Sequence, residues 1–433
     1  MPHASVNAHL DNAIAALPPG ALAVGYSGGA DSSVLLHALA RSPRARARGL
    51  RAIHVDHGLH ADSAAWSAHC REAAAELDIA IDIVRVEVDR DGGGGLEDAA
   101  RGARRAAFER LLRPGEILAL AHHRDDQAET VLLKLLRGAG PEGLAAMRGL
   151  RTFAAGYLWR PLLGLPRSTL RAYAGEHGLR WLDDPSNADT RLRRNFLRCE
   201  ILPRLRARWP AAEVALAHSA AWAGHAADFI DAEARTALIR LHGSDPATLV
   251  WRGWLALPAA LRGPVLRLWL RELRLAEPAH FHVDELERQL HGAGDDRLPC
   301  VRFADTELRR YRDLLYALHP LPALPADWEA AWDGGAALGL PGGGTLELSP
   351  PQKLEPPLLV RYRRGGERIR PAGAAHTREL RLLLQEAGVP PWLRGRIPLV
   401  FRAGELIAVG NLCFAAAAAG PRMRIRFDPL ARR

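Results

Sequence analysis

The sequence predicts an α/β protein: an N-terminal doubly wound parallel sheet, a central helical domain and a small C-terminal α/β domain. Three observations carry that prediction. Short apolar runs alternate with amphipathic segments from the N-terminus to about residue 177, the pattern of strands joined by crossover helices. Polar clusters at Ser27–Ser33, Asp56-His57 and His122–Thr130 follow directly on such runs, so a parallel sheet gathers them along the carboxyl edge of its strands. The stretch His319-Pro320-Leu321-Pro322-Ala323-Leu324-Pro325 reads as a linker. The expected domains are 1–209, 210–320 and 321–433.

In chain order, a short helix at 5–17 precedes Leu22-Ala23-Val24-Gly25. That run gives way to Tyr26-Ser27-Gly28-Gly29-Ala30-Asp31-Ser32-Ser33 and an amphipathic segment, which reads as strand, tight turn and helix. Gly49 to Val55 is a second strand, ending in Asp56-His57-Gly58-Leu59-His60. A helix at 63–77, a strand at 81–88, a flexible loop through Gly92–Gly95 and a helix at 96–112 follow. Glu116 to Ala121 is the fourth strand, and a helix runs from Arg124 to about Arg137. The Gly-rich loop 138–149 has the composition to close over a ligand. A helix spans about Pro166 to His177, and residues 181–187 are turn-rich. Residues 210–318 read as mostly helical, and 358–428 as strands near 358–362, 397–402 and 405–410 with a helix near 377–387.

At 433 residues and 48% hydrophobic content the chain has the length and composition for several buried cores. A net charge of +9 points to a polyanionic partner, nucleic acid first, although an Ala/Arg/Gly bias accounts for part of the excess. Cys70, Cys199, Cys300 and Cys413 form no Cys-x-x-Cys pair. That argues against a zinc ribbon, an Fe–S site or a disulfide framework, and suits a reducing cytoplasm. No run of about 18 apolar residues is present, so no membrane span is expected.

Three constellations carry candidate chemistry. The first is Ser27-Gly28-Gly29-Ala30-Asp31-Ser32. Gly28 and Gly29 allow positive φ and close backbone approach, Ser27 and Ser32 offer hydroxyls, and the helix start favours an anion. It is neither Gly-x-x-x-x-Gly-Lys-Ser/Thr nor Gly-x-Gly-x-x-Gly. An ordinary strand–turn–helix connection has a similar composition. Asp31 reads equally as a ligand for Mg²⁺ bridging phosphates and as a helix-capping or first-turn residue.

The second is His122-His123-Arg124-Asp125-Asp126-Gln127-Ala128-Glu129-Thr130. Asp126 and Glu129 share a helix face. The carboxylates suit the positive end of a helix, and equally a pocket for a metal ion or an ammonium group. His122 reads as an acid/base or phosphate-contacting residue. The third is Glu97-Asp98-Ala99-Ala100-Arg101-Gly102-Ala103-Arg104-Arg105. It is a solvated ion-paired face, or an anion site in which Arg101 recognises a carboxylate.

The Ser27–Ser32 segment resembles the PP-loop of ATP pyrophosphatases, which cut ATP between the α and β phosphates. The wider set of motifs resembles the bacterial tRNA(Ile)-lysidine synthetases. It comprises His54-Val55-Asp56-His57-Gly58-Leu59, Glu97-x-x-Ala100-Arg101-x-x-Arg104, Ala121–Thr130, Leu136-Arg137-Gly138-x-Gly140, Arg160-Pro161-Leu162-Leu163, Asp184-Pro185-Ser186-Asn187 and Arg194-Asn195. Arg364–Pro371 and Pro390-Pro391-Trp392-Leu393-Arg394 resemble that family's C-terminal domain. Asp56 stands where the family favours Asn or His.

The resemblance implies a Rossmann-like PP-loop domain and a ligase. It adenylates carbon 2 of the wobble cytidine in the CAU anticodon of tRNA(Ile), then displaces AMP with the ε-amine of L-lysine. Decoding shifts from AUG to AUA and identity from Met to Ile. It further implies ATP at Ser27, Gly28, Gly29, Ala30, Asp31 and Ser32, with Mg²⁺ on Asp31, and lysine at Arg101, Asp126 and Glu129. It puts His122, Asp126 and Arg194 at the reacting centre, and tRNA phosphates on Arg364, Arg368, Arg370 and Arg394. Arg361, Arg363 and Arg396 lie close to these last, and Trp392 reads as a stacking platform or a core residue. A homodimer is kept open as the assembly. A PP-loop tRNA thiolase is the runner-up, and the scattered cysteines speak against it. The absence of a glutaminase pattern speaks against an amidotransferase-coupled synthetase, and the intact Ser27–Ser32 and His122–Thr130 segments against a non-catalytic RNA-binding protein.

Overall fold

The computed structural model describes residues 6–58, 62–88, 96–183, 189–292, 294, 297–348 and 352–415, leaving aside the side chains of residues 96 and 97. Leu59 and His60, Gly92–Gly95, the Glu97 side chain, the Asp184-Pro185-Ser186-Asn187 turn and the stretch toward residue 428 lie outside the described residues. The chain forms two compact units, Met1–Phe229 and Ile230–Arg433.

The first unit is built on a six-stranded sheet. Its elements in order are α1 (Val6–Ala15), β1 (Leu22–Gly25), α2 (Ala30–Ala40), α3 (Pro43–Ala47), β2 (Leu50–Asp56), α4 (Ser63–Glu76) and β3 (Ala80–Arg85). Then come α5 (Leu96–Leu111), β4 (Ile117–Ala119), α6 (Arg124–Leu135), α7 (Pro141–Leu144), β5 (Leu150–Phe153), β6 (Gly156–Trp159) and α8 (Arg167–Glu176). Strand order is β3-β2-β1-β4-β6-β5, parallel except for β5, which pairs antiparallel with β6. Alternation along β1 explains the two layers of helices. Leu22 and Val24 pack with residues of α1, α2 and α8 on one face, and Ala23 packs with Ala107 and Phe108 of α5 on the other. Order reverses between β1 and β4, and the crevice there lies beyond their carboxyl ends.

A continuous helical stretch closes this unit: α9 (Arg193–Phe196), a π turn over Leu197–Ile201 and α10 (Leu202–Arg208). The Leu202 N–H reaches back to Leu197 O, one residue farther than in an α-helix. The cause is Pro203, which has no N–H to give and whose ring crowds the carbonyl four residues earlier. The long helix α11 (Ala212–Leu241) follows.

In the second unit, β7 (Thr248–Val250), α12 (Trp251–Leu255), α13 (Ala259–Glu272) and α14 (His280–Gly292) precede β8 (Cys300–Phe303), β9 (Thr306–Tyr311) and β10 (Leu314–Leu318). The four strands form an antiparallel sheet, β7-β10-β9-β8, that buries Trp254 and Trp269 beneath the helices. The sequence reading found the helices here and missed this sheet.

The C-terminal part holds β11 (Glu329–Trp332), β12 (Leu338–Gly339), β13 (Thr345–Leu346), β14 (Leu358–Arg361), β15 (Arg368–Ile369) and β16 (Arg378–Glu379). It continues with α15 (Leu380–Glu386), α16 (Pro391–Arg394), β17 (Leu399–Arg402), β18 (Glu405–Val409) and β19 (Cys413–Phe414). A five-stranded sheet, β11-β14-β17-β18-β19, packs its core with α15 and α16.

Candidate functional site

The turn after β1 is held by its own hydroxyls. Ser32 Oγ donates to Gly29 O at 2.9 Å and accepts from the Ser27 N–H at 3.2 Å. Its single proton being spent, the 3.0 Å contact between the two hydroxyls runs from Ser27 to Ser32. Gly28 has φ +79, and a Cβ there would lie 3.0 Å from Cys70 Sγ and 3.1 Å from Leu182 Cδ1. Gly29 has φ −77 and is the N-cap of α2 without any side-chain cap, so positive φ is needed at Gly28 alone. Ala30 and Ser32 are buried in the first turn.

Asp31 stands in that first turn rather than at the cap. Its Oδ2 lies 3.5 Å from His123 Nε2, across the β1/β4 crevice. Its Oδ1 is buried with no hydrogen-bond partner. An orphaned buried carboxylate oxygen beside uncapped helix amides fits a hard divalent cation carried in on phosphates. Among the described residues no group of three or more His, Cys, Asp or Glu is placed to hold a metal ion.

His123 caps α6 with a reciprocal pair: its Nδ1 accepts from the Asp126 N–H at 3.4 Å and its N–H donates to Asp126 Oδ2 at 3.0 Å. Burial pulls the His123 pKa down, but the Asp31 hydrogen bond and the charges of Asp126, Asp31 and Asp125 outweigh it and raise the value.

One turn on, Glu129 is fully buried. Arg194 Nε reaches its Oε2 at 2.7 Å and Arg198 Nε its Oε1 at 2.7 Å. Arg198 Nη2 also donates to Asp126 Oδ1 at 3.2 Å, with Arg194 Nη2 at 3.5 Å from the same oxygen. Burial pushes the Asp126 pKa up, yet His123, Arg194 and His122 bring the net value below the ordinary one. Asp126 and Glu129 thus meet as expected, but two guanidiniums occupy them. Asp125 is drawn away, accepting from the Arg167 N–H at the start of α8 at 2.9 Å. Gln127 ties the end of the Gly-rich loop, exchanging 3.0 Å bonds with the Met147 backbone on both sides of its amide.

The other side of the site is basic. Arg101 on α5 is exposed and lies near enough to Arg104, Arg151 and Arg160 that its charge helps lower their pKa values. Burial, then the charges of Arg151 and Arg101, bring Arg160 to about 10. Arg160 Nε donates to His122 Nδ1 at 3.3 Å. His54 anchors the floor beneath the turn after β1, its Nδ1 2.9 Å from Tyr26 O, and Asp56 folds back on the Gly58 N–H at 2.8 Å. Arg160 and Arg198 carried no role in the sequence reading. Arg160 was marked only by its place in the Arg160-Pro161-Leu162-Leu163 motif, and Arg198 only by lying four residues from Arg194.

In the second unit Arg364, Arg368 and Arg370 are exposed. Arg364 pairs with Glu329 at 2.9 Å, and Arg370 Nε donates to Ala374 O at 3.1 Å. Glu367, whose side chain is 4% exposed, organises the turn by accepting from Arg361 and from the Arg364 and Gly365 N–H groups. Arg394 is half-buried, bonded to Val389 O at 2.9 Å and Tyr311 OH at 3.0 Å, and Arg396 is buried against Pro322 O. Trp392 meets Tyr316 edge-on at 5.4 Å with Arg309 5.4 Å from its ring. The structure therefore separates these residues into three solvent-facing arginines and a packed group around Trp392. No helix among the described residues is long and apolar enough to cross a membrane.

Comparison with known proteins gives the same picture. The PP-loop domain family matches residues 2–205, the TilS substrate binding domain residues 251–316 and the TilS substrate C-terminal domain residues 358–427. A tRNA(Ile)-lysidine synthase from Xanthomonas campestris pv. campestris (strain 8004) is 48% identical over 405 residues, covering 93% of each chain. One from Xylella fastidiosa (strain Temecula1 / ATCC 700964) is 46% identical over 398 residues, covering 91% of each. Among solved structures, the U34-tRNA thiolase NcsA from Methanococcus maripaludis aligns with a TM-score of 0.40 at 18% identity, over 50% of this chain and 76% of that one. With near-half identity over nearly the whole length, and three domain families matched in succession, the chain belongs to the tRNA(Ile)-lysidine synthase family.

Proposed function

We propose that this chain ligates L-lysine to carbon 2 of the wobble cytidine in the CAU anticodon of tRNA(Ile), in the cytoplasm, consuming ATP and releasing AMP and pyrophosphate. Membership in a family of ligases that form a carbon–nitrogen bond supports the reaction class. The observation that carries the chemistry is the meeting, at the β1/β4 crevice, of an anion-binding turn, an orphaned Asp31 oxygen and the buried set Asp126, Glu129, Arg194 and Arg198.

In the first step the cytidine O2 bonds to the α-phosphorus and the bond to the β-phosphate oxygen breaks. The amides around Ser27, Gly28, Gly29, Ala30 and Ser32 cradle the phosphates, and Asp31 holds Mg²⁺. That ion supplies charge neutralisation for the leaving pyrophosphate. In the second step the lysine ε-amine bonds to carbon 2, the C–O bond breaks with AMP leaving, and the amine loses a proton. Asp126 and Glu129 take the lysine ammonium and Arg101 its carboxylate. Because Arg194 and Arg198 now neutralise those carboxylates, an ammonium reaching them exchanges for a guanidinium. Arg194 so released meets the activated base or α-phosphate, with His122 at the reacting centre. The outcome for decoding is AUA in place of AUG, and isoleucine in place of methionine.

We assign residues 1–209 to catalysis, 210–320 to substrate binding and 321–433 to tRNA docking, with Arg364, Arg368 and Arg370 on phosphates. Arg394, tied to Val389 and Tyr311, supports the docking surface from within. Incubation with ATP, Mg²⁺, labelled lysine and tRNA(Ile) bearing a CAU anticodon tests the reading. Label in the tRNA with one AMP per lysine is the expected result. AMP formation without label, supported instead by another nucleophile, refutes it. Truncation after Pro320 lowers tRNA affinity in a salt-dependent way; unchanged affinity refutes the docking assignment.

A further inference from the structure

The carboxyl ends of two neighbouring strands bring Arg160 and His122 together. β4 and β6 run parallel with Ala119 opposite Trp159. His122 lies in the turn after β4, and Arg160 is the first residue after β6. Arg160 is 8% exposed and anchored at both ends: its backbone N–H donates to Gly149 O at 2.7 Å and its Nη1 to Arg148 O at 2.9 Å. Between these anchors its Nε points at His122 Nδ1 at 3.3 Å.

A guanidinium only donates and does not deprotonate in proteins. The atom facing Arg160 Nε must therefore present a lone pair, which puts the proton of a neutral imidazole on Nε2. The surrounding charges act in the same sense. Burial is the largest influence lowering the His122 pKa; the Asp126 charge from α6 raises it, and Arg160, Arg194 from α9 and Arg104 from α5 lower it, leaving it near about 3.

We propose that Arg160 is a positioning residue that fixes His122 as the neutral Nε2–H tautomer, so that His122 serves the reacting centre as a hydrogen-bond donor and not as a base. The inference rests on the reading of His122 as facing the reaction. In that role the Nε2–H stabilises negative charge developing on a phosphoryl or departing oxygen. The proton shed by the lysine amine then passes to a carboxylate or to water, since His122 has no free lone pair to receive it.

The test begins without substrate. In protein labelled with ¹⁵N at histidine, long-range spectra distinguish Nε2–H, Nδ1–H and imidazolium, and loss of one signal set in His122→Gln assigns it. The expected result is Nε2–H, unchanged from pH 8 down to about pH 5. An Nδ1–H tautomer or an imidazolium at neutral pH overturns the proposal, whatever the variants do. Arg160→Met is expected to mix the tautomers and lower kcat about 10- to 100-fold, with KM for ATP and lysine within twofold. Arg160→Lys, still a pure donor, keeps the tautomer and recovers part of kcat. Wild-type kcat in Arg160→Met refutes the positioning role. Should Arg160→Met fail to fold, the spectrum of the unsubstituted protein still decides. An Nε2–H signal with no lysine transferred sinks the proposed function and spares the tautomer; lysine transfer with an Nδ1–H signal sinks this inference alone.

Discussion

At the amino edge of the parallel sheet, Arg51 of β2 meets Glu116 with Nε on Oε1 at 2.7 Å and Nη2 on Oε2 at 2.6 Å. Glu116 also accepts from the Arg113 N–H at 2.9 Å, while Arg51 gives Nη1 to Asp82 and shares Nη2 with Leu111 O. Both members are buried and every oxygen of Glu116 is engaged. At the carboxyl edge of the same sheet, Asp126 is shared among His123, Arg194 and Arg198, and Asp31 keeps one buried oxygen without a partner. The first edge is closed and fixes the sheet. The second divides Asp126 among several donors and leaves a gap at Asp31, which is what a site that must exchange partners requires.

That contrast can be broken in several ways. Asp31→Asn should lower ATP-dependent AMP formation about 10²- to 10³-fold while leaving the urea midpoint nearly unmoved. A large loss of stability instead would mean that Asp31 belongs with the structural pairs. Glu116→Gln should do the reverse, costing about 3 kcal/mol of stability in urea unfolding with kcat preserved. Its pH dependence has a defined sign. Burial raises the Glu116 pKa, but the Arg51 bond and the Arg113 N–H more than offset this, and the folded value lies below the ordinary 4.5. Stability from this group is therefore present above about pH 4.5 and lost as pH falls through the lower folded value. The Glu116→Gln protein should show a shallower loss of urea midpoint in that acid window.

Asp126→Asn should raise KM for lysine about tenfold or more, with ATP binding changed far less. Equal loss of both would contradict its assignment to lysine. The smallest effect is expected at Arg368→Ala, which should reduce the slope of log K for tRNA against log salt by about one. An unchanged slope would remove Arg368 from the docking surface.

Much of the first unit was legible because its strands are apolar runs set between turn residues. β1, β2 and α6 fall within a residue or two of their expected places. The fourth strand was read as 116–121 and is Ile117–Ala119, with Glu116 O and the Leu120 N–H still bonded to Tyr157 and Trp159 of β6 just beyond its ends. Hairpins were harder. β5 and β6 turn through Ala154 at φ +48, and the β8–β9 and β9–β10 turns use Ala304 at φ +45 and Arg312 at φ +52. None of these positive-φ residues is the glycine or asparagine that announces a tight turn, so a lone Asp305, Asp313 or Gly156 beside each was weak punctuation for three strand pairs. The site divides similarly. Asp31, Asp126 and Glu129 were visible from their places after strands, whereas Arg198 meets Glu129 across 69 residues and Arg160 meets His122 across 38. The charge of Arg394 was legible, but its bonds to Val389 O and Tyr311 OH were not, since Tyr311 lies 83 residues away.

The wide turn at Leu197–Ile201 holds one residue more than an α-helical path would need, so the segment before it keeps its phase relative to α10 while the chain between them carries a spare position. Taking up ordinary α pitch with every residue kept would rotate that preceding segment by about 100° relative to α10. Arg194 would then swing away from Glu129, leaving a fully buried carboxylate with Arg198 alone. Removing the spare position would restore ordinary pitch without that rotation. The aim of Arg194 is thus set by a match between residue count and turn width.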